Sequence, residues 1–375
     1  SFVAGCGGQP TPEPTEEPAA EATEPPAEDV EEEPAEEPTE GPAEEPTEEP
    51  AEAAEPKILT VRLYGDIQNL DPAFQISEND TVVANAVMNR LVGYCPNSYD
   101  LCNQLAEELE ESEDGLEIRF KLREGVMWHD GYGELTAEDV KYSYERFIDP
   151  DLDADYADDW ATLDRVEVID KYNGIIHLKE PFAPLWNSTL PVGSGTIVSQ
   201  AYIEEIGLEA FATDIIGTGP YLFTEWRPQE MVVLTKNPDY WGEEPYWDEI
   251  HLIPIEDDKA GEVALESGDL DFGLISSQSI ERFEANPDLN VWSKPSLRYS
   301  WVALNVEHPK LQDIRVRQAI QHAVDVDTIL QGAYSGTTAK SHGIICPGLT
   351  GQRESAGYSY DPDKARALLA EAGAS

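Results

Sequence analysis

Positive charge is scarce in this chain, which has 24 Lys and Arg against 76 Asp and Glu and a formal net charge of −52. Residues 7–56 contain 19 acidic residues and no Lys or Arg, and the other residues together still have a net charge of −33. Proteins that bind nucleic acid need a positive face for the phosphates. The charge therefore argues against a nucleic-acid partner and indicates a solvated, self-repelling surface.

Long apolar runs and common catalytic motifs are also missing. No stretch reaches the about 18 apolar residues that a membrane-spanning helix needs. No HExxH, GxSxG or Walker motif occurs, although catalytic groups scattered along a chain can still form an enzyme. The acidic loop at residues 149–159, DPDLDADYADD, lacks the glycine and the glutamate of a calcium-binding loop. We therefore predict no metal, no cofactor and no catalytic residue.

The first 56 residues do not have the composition of a folded domain. Residues 7–56 repeat Pro, Glu, Thr and Ala, which predicts a disordered acidic tether. Before it, Val3-Ala4-Gly5-Cys6 resembles the lipobox of bacterial lipoproteins, in which the cysteine is lipidated after signal-peptide cleavage. Residues 1–6 would then be a signal-peptide remnant with its lipobox, and Cys6 would anchor the protein to the outer face of the cell membrane or in the periplasm. The alternative is a chance Ala-Gly-Cys.

From residue 57 onward, strand and helix patterns are interleaved, and the length of the chain predicts two or more domains. Strands are predicted at 57–64, 116–128, 220–226, 230–237 and 249–255, with a hairpin at 165–182 whose turn lies at 171–174. Helices are predicted at 79–94 with Asn79 or Asp80 as cap, at 135–148 with a capping box of Thr136 and Asp139, at 314–332 and at 361–373. The sequence therefore predicts a mixed α/β chain without repeats.

One stretch carries a family resemblance. Residues 105–147, LAEELEESEDGLEIRFKLREGVMWHDGYGELTAEDVKYSYERF, resemble the signature region of the dipeptide/oligopeptide-type extracytoplasmic solute-binding proteins (family 5) of ABC importers. The pattern is met at Leu105–Glu107, Asp114–Gly115, Leu122–Val126, His129–Gly131, Thr136–Val140, Ser143 and Arg146. Trp128 replaces the common Phe. Further blocks follow in the family's order at Gly217–Tyr221, Asn237–Trp241, 265–275, 303–329 and 360–373, so the resemblance covers nearly all of 57–375.

The resemblance implies a periplasmic-binding-protein-like α/β fold of two lobes (type II, similar to cluster C), with an extra subdomain in the first lobe. Lobe I is expected at 57–93 plus 197–285, and the subdomain at 94–196. Lobe II is expected to begin at 290–375 and to be incomplete here, since the family's second lobe is longer.

The resemblance also implies the walls of a ligand site. We expect Phe74 and Gln75 after the first strand, and Tyr299, Trp301 and Asn305 where the chain crosses between lobes. The alternative for each residue is hinge packing. The other motif residues are interpreted as structural: His129 as part of a loop before a helix, and Arg315 and Arg317 in ion pairs or caps.

Three cysteines lie in the body of the chain. Cys95 and Cys102 are seven residues apart around PNSYD, and outside the cytoplasm such a pair is predicted to form a disulfide. A metal site would need further ligands nearby. Cys346 has no evident partner in the sequence.

These observations favour a monomeric, lipid-anchored binding protein that passes di- or oligopeptides to an ABC permease and its ATPases. The first alternative keeps this fold with another small organic cargo, such as a nickel chelate or an oligosaccharide, or with a sensor role. The second alternative is an extracytoplasmic hydrolase.

Overall fold

The computed structural model of the protein describes residues 55–75, 77–293, 300–346, 351–353 and 357–374. Cys6 and the tether predicted at 7–56, except for Glu55 and Pro56, lie outside the described residues. The strands are β1 (Ile58–Leu63), β2 (Val92–Tyr94), β3 (Leu101–Asn103), β4 (Ala106–Glu111), β5 (Glu117–Leu122), β6 (Leu163–Val168), β7 (Asn173–Leu178), β8 (Tyr221–Arg227), β9 (Met231–Lys236) and β10 (Glu249–Pro254). The helices are α1 (Glu78–Val87), α2 (Ala137–Glu145), α3 (Gln200–Ile206), α4 (Leu208–Phe211), α5 (Asp258–Ser267), α6 (Ile280–Glu284), α7 (Ile314–Ala323), α8 (Val326–Tyr334) and α9 (Pro362–Glu371).

The first sheet has the order β1-β10-β9-β8. Strand β1 runs parallel to β10, and the other neighbours are antiparallel. The backbone at Phe272 extends this sheet on the outer side of β1, where the Arg62 N–H donates to the Phe272 carbonyl at 3.0 Å. The predictions of strands near 57–64, 220–226, 230–237 and 249–255 are confirmed.

The second sheet is antiparallel with the order β4-β5-β7-β6. Its strand β5 alternates as predicted, with Ile118, Phe120 and Leu122 turned into the core, but it ends at Leu122, so the strand predicted at 116–128 is too long. The predicted hairpin is formed by β6 and β7, but its turn lies about two residues earlier than predicted. The Asp170 carboxylate fixes this turn by accepting the N–H groups of Tyr172 and Asn173.

Helix α2 packs next to β6, and its N-cap is Thr136, where the predicted capping box with Asp139 is present. Two other helix predictions are wrong in detail. The N-cap of α1 is Ser77 rather than Asn79 or Asp80, and its side chain accepts the Asp80 N–H at 3.1 Å. The helix predicted at 79–94 also ends earlier, at Val87, and residues 92–94 form strand β2 instead. The helix predicted at 314–332 is broken at Val324, because Asp325 caps a separate helix α8 by accepting the Thr328 N–H.

A single apolar core joins the two sheets, and its largest fully buried side chains include Trp160, Tyr144 and Phe147. A smaller cluster of Leu265, Leu270 and Phe283 lies beside α5 and α6. Near the end of the chain, α7 packs on α9, and the Arg315 guanidinium donates to the Glu371 carbonyl at 2.7 Å. The expected boundaries of lobe I, the subdomain and lobe II stay predictions. Within the described part of the chain, no helix is both long and apolar enough to cross a bilayer.

Candidate ligand-binding site

The loop between β1 and α1, described at residues 64–75 and 77, begins at the carboxyl end of a parallel pair of strands. Ligands of open α/β sheets bind at such ends. Tyr64 is 39% exposed here. Its hydroxyl accepts the Leu274 N–H at 2.9 Å, while its own N–H donates to the Asn79 side chain at 3.0 Å. Tyr64 thus joins the β1–α1 loop to the chain that follows Phe272.

The two predicted site residues in this loop have different environments. Phe74 is half-buried and packs against the large core. Gln75 is buried, and its amide nitrogen donates to the Leu70 carbonyl at 2.9 Å. The Gln75 side chain therefore braces the loop internally, and the ring of Phe74 is the more accessible of the two groups. Contact of either residue with a ligand stays a prediction.

The two predicted residues of the crossing segment that the structure describes lie on exposed chain. The Trp301 side chain is 70% exposed. Asn305 is also exposed, and its side-chain oxygen accepts the Glu307 N–H at 2.9 Å in a local turn. Tyr299 lies outside the described residues. The Trp301 side chain is therefore largely exposed on this segment, and its role as a ligand wall also stays a prediction.

A cavity of about 480 Å³ lies between the chain at 271–275 and the chain at 288–293. Leu265 and Phe283 from the small apolar cluster line it, together with Phe272 and Leu274. None of the four predicted site residues that are described lines this cavity. It is thus distinct from the surfaces of Phe74 and Trp301.

His129 is buried and joins two of the sequence motifs. Its Nδ1 accepts the Gly217 N–H at 3.2 Å, and its Nε2 lies 3.0 Å from the Gly219 carbonyl, to which it must donate. The imidazole is therefore neutral and protonated on Nε2. Burial lowers the pKa of His129, which keeps the ring in this form. These contacts give His129 a structural role, in agreement with the interpretation from sequence.

The Gly217–Tyr221 motif packs against the end of α1 with almost no space. A Cβ on Gly217 would lie 1.9 Å from the Val87 carbonyl oxygen, so only glycine fits. Two residues of the Asn237–Trp241 motif bind the same backbone: the Asn237 side chain donates to the Gly219 carbonyl and the Trp241 indole to the Thr218 carbonyl, each at 3.0 Å. Motifs that are far apart in sequence thus meet at one structural junction.

The structure joins Cys95 and Cys102 in a disulfide across the β2–β3 hairpin, as predicted. Cys346 is buried, and it is not part of this bond. Among the described residues, no group of three or more His, Cys, Asp or Glu side chains is arranged to hold a metal ion. Arg315 pairs with Asp313, and Arg317 donates to the carbonyls of Leu311 and Gln312, as the sequence interpretation required.

The sequence did not predict one ion pair of the β1–α1 loop, that of Arg146 with Asp71. Arg146 donates two hydrogen bonds, of 2.8 and 2.6 Å, to the carboxylate of Asp71, and both side chains are buried. The sequence pattern contains Arg146 as a motif residue, but it gives no signal that joins Arg146 to Asp71. Tyr64 was missed because it belongs to a strand in the sequence pattern.

Residues 100–375 match the family model of bacterial extracellular solute-binding proteins, family 5 Middle. The chain belongs to this family. Its α/β architecture is the two-lobe fold of family 5 periplasmic binding proteins, as solved structures confirm. Members of the family act outside the cytoplasm.

Three relatives illustrate what family members bind. Di/tripeptide-binding protein 2 of Pseudomonas aeruginosa is 30% identical over 344 residues, which are 85% of this chain and 64% of that protein. The periplasmic binding protein DppA of Helicobacter pylori, solved with the peptide STSA, is 27% identical with a TM-score of 0.75, over 84% of this chain and 66% of that one. NikZ of Campylobacter jejuni, solved with Ni(L-His), is 25% identical with a TM-score of 0.74, over 84% of this chain and 63% of that one. None of the three is named as an enzyme. The chain spans 63 to 66% of the length of these relatives.

Proposed function

We propose that the full-length protein is the substrate-binding component of an ABC importer and captures di- or oligopeptides between two lobes. The observation that carries this proposal is the 30% identity with a di/tripeptide-binding protein over 85% of this chain. The peptide-bound DppA structure, which shares the fold with a TM-score of 0.75, supports the same cargo class.

The proposed ligand walls combine the ring of Phe74 in the β1–α1 loop with Trp301 and Asn305 on the crossing segment. Aromatic faces suit a carrier of varied peptides because they contribute contact area without requiring one particular side chain. Gln75 supports its wall from inside, through the hydrogen bond to Leu70. Tyr299 is assigned to the second wall from the sequence resemblance alone.

The mechanism requires no covalent step. A peptide that contacts both walls binds the closed arrangement of the lobes more tightly than the open one, so binding shifts the population toward closure. A permease with its ATPases then recognises the closed, loaded form. Part of the free energy of peptide binding drives this shift toward the closed form. In this proposal the protein acts as a monomer.

We place the protein on the outer face of the cell membrane, held by a lipid on Cys6. The acidic segment 7–56 would act as a spacer between the lipid and the folded body, because its like charges repel and its prolines oppose helix formation. This arrangement keeps the binding protein close to its permease while allowing it to reach the substrate.

A second cargo class is supported by one observation. NikZ, which was solved with Ni(L-His), matches this fold with a TM-score of 0.74. A metal chelate with an organic ligand presents polar and ring surfaces that aromatic walls could also hold. This candidate carries less weight because NikZ is less similar to this chain than the di/tripeptide-binding protein.

Isothermal titration of the full-length protein tests the proposal, with Met-Leu, trialanine, Ser-Thr-Ser-Ala and Ni(L-His) as separate probes. We expect saturable binding of at least one peptide in a 1:1 complex, weakened by Trp301→Ala. Binding of Ni(L-His) alone would replace the proposal by the second candidate. Failure of all four probes to bind a folded protein would contradict both.

A further inference from the structure

The chain that follows α2 contacts the β1–α1 loop at three alternate positions. Arg146 pairs with the carboxylate of Asp71, as described above. The Asp155 N–H donates to the Ala73 carbonyl at 3.1 Å. The Tyr156 hydroxyl donates to the Gln75 carbonyl. Residues 71–75 of the loop are therefore held at three points by residues 146–156.

Asp155 and Tyr156 belong to the acidic loop at 149–159. The sequence of this loop does not match a calcium-binding loop, so calcium binding does not account for it. The direction of their hydrogen bonds is informative. Both donate to main-chain carbonyls of the β1–α1 loop, so they fix the path of its backbone whatever its side chains are. The acidic loop thus contacts the chain on either side of Phe74.

The beginning of the β1–α1 loop is fixed differently. The buried carboxylate of Asp80, on α1, accepts the Gln68 N–H at 2.6 Å and the Ser77 hydroxyl at 2.7 Å. Helix α1 therefore holds both the part of the loop that follows β1 and the part that precedes α1 itself. The segment around Phe74 is held by residues that come 75 to 82 positions later in the chain.

We propose that Tyr156 and Arg146 are positioning residues for ligand capture, acting through the β1–α1 loop without touching the ligand. This inference rests on the proposed function, in which Phe74 forms part of a ligand wall. A wall that is ordered before the ligand arrives does not lose conformational entropy at the moment of binding. Loosening the loop should therefore reduce affinity even where the fold persists.

Tyr156→Phe is the sharpest test of this role. Substitution of Asp71 or Arg146 would leave an unpaired buried charge and could unfold the protein. Tyr156→Phe removes only a hydroxyl. Tyr221→Phe is a matched control, because its hydroxyl also donates to a main-chain carbonyl, that of Trp247, at 3.3 Å. Tyr221 lies on β8, away from the β1–α1 loop in the sequence.

Two measurements on the full-length variants separate positioning from general stability. The first is the dissociation constant for each of Met-Leu, trialanine and Ser-Thr-Ser-Ala. The second is the rate of amide hydrogen exchange in a peptide fragment covering residues 70–75. We expect Tyr156→Phe to weaken peptide binding by roughly three- to tenfold, the effect of one hydrogen bond, and to speed exchange in this fragment. Tyr221→Phe should change neither.

The inference is overturned if Tyr156→Phe binds the peptides as the wild type does. It is also overturned if both variants weaken binding equally, because the effect would then follow stability and not the loop. If the wild type binds none of the peptides, the proposed function fails, while hydrogen exchange still decides whether Tyr156 holds the loop. If amide hydrogen exchange at residues 70–75 is as slow in Tyr156→Phe as in the wild type, the positioning role is rejected.

Discussion

The imidazole of His129 accepts a hydrogen bond from the Gly217 N–H and donates one to the Gly219 carbonyl, so it holds both sides of a glycine-containing turn. The neutral ring alone can do both, since a protonated imidazole has no acceptor. His129, whose side chain most resembles a catalytic or metal-binding group in the sequence, thus connects the His129–Gly131 motif to the Gly217–Tyr221 motif.

This pairing predicts a specific loss of stability in acid. Burial lowers the pKa of His129 in the folded state, although the hydrogen bond to the Gly219 carbonyl and the charge of Asp130 oppose the shift. The unfolded chain, with an ordinary histidine pKa of about 6.5, therefore takes up the proton first as the pH falls. The stabilisation due to the neutral ring is complete above about pH 6.5 and is lost below it, toward the lowered folded pKa.

Urea unfolding at several values between pH 7.5 and 5 would measure this effect, with His129→Gln as the comparison. We expect the wild type to lose more unfolding free energy than the variant over this range. Equal losses in the two proteins would show that the protonation of His129 is not linked to folding.

The close approach of Gly217 to Val87 predicts a strong effect of one methyl group. Gly217→Ala places a Cβ where the Val87 carbonyl lies, so the backbone must shift, and we expect a loss of about 3 kcal/mol in unfolding free energy. Gly332→Ala is the control, since a Cβ there meets nothing within 4 Å and the residue lies in α8. It should be neutral or stabilising by up to about 1 kcal/mol. Thermal melts that rank the two variants in the opposite order would reject this account of the junction.

Much of the fold could be predicted because its signals are local. The capping box at Thr136 and the alternation of Ile118, Phe120 and Leu122 lie within a few residues of one another, and both predictions are confirmed. The break between α7 and α8 was missed, although Asp325 followed by Thr328 is a local capping signal within an otherwise continuous helical pattern.

The candidate site was less predictable because its contacts are long-range. The partners Asp71 and Arg146 are 75 positions apart, and nothing in the composition of either segment specifies the other. The resemblance located the β1–α1 loop and the crossing segment, but it could not show that the Gln75 amide is used inside its own loop. Such details depend on how the second sheet and α2 pack against the first.

The Asp71–Arg146 ion pair should be strongly coupled. Arg146→Ala and Asp71→Ala each leave a buried charge without its partner, and each is expected to cost about 3–5 kcal/mol of unfolding free energy. The double variant removes both charges, so its loss should be clearly smaller than the sum of the two single losses. Additive losses in a double-mutant cycle would contradict a direct, buried interaction.

The disulfide should stabilise the protein by restricting the unfolded chain. In the chain-entropy model, closing the short loop between Cys95 and Cys102 adds about 2–3 kcal/mol to the free energy of unfolding. Replacing both cysteines by serine should therefore lower the unfolding free energy by this amount, and reduction of the wild type should reproduce the loss. A reducing agent that destabilises the double variant as much as the wild type would show that another thiol is responsible.

Native mass spectrometry of the full-length protein, purified without denaturation, tests the central claim most directly. The account predicts a folded protein that carries a series of di- or oligopeptide masses, which are released on unfolding and bound again when synthetic peptides are added. A single non-peptide mass, or a folded protein that carries no peptide and acquires none from an added peptide mixture, would contradict it.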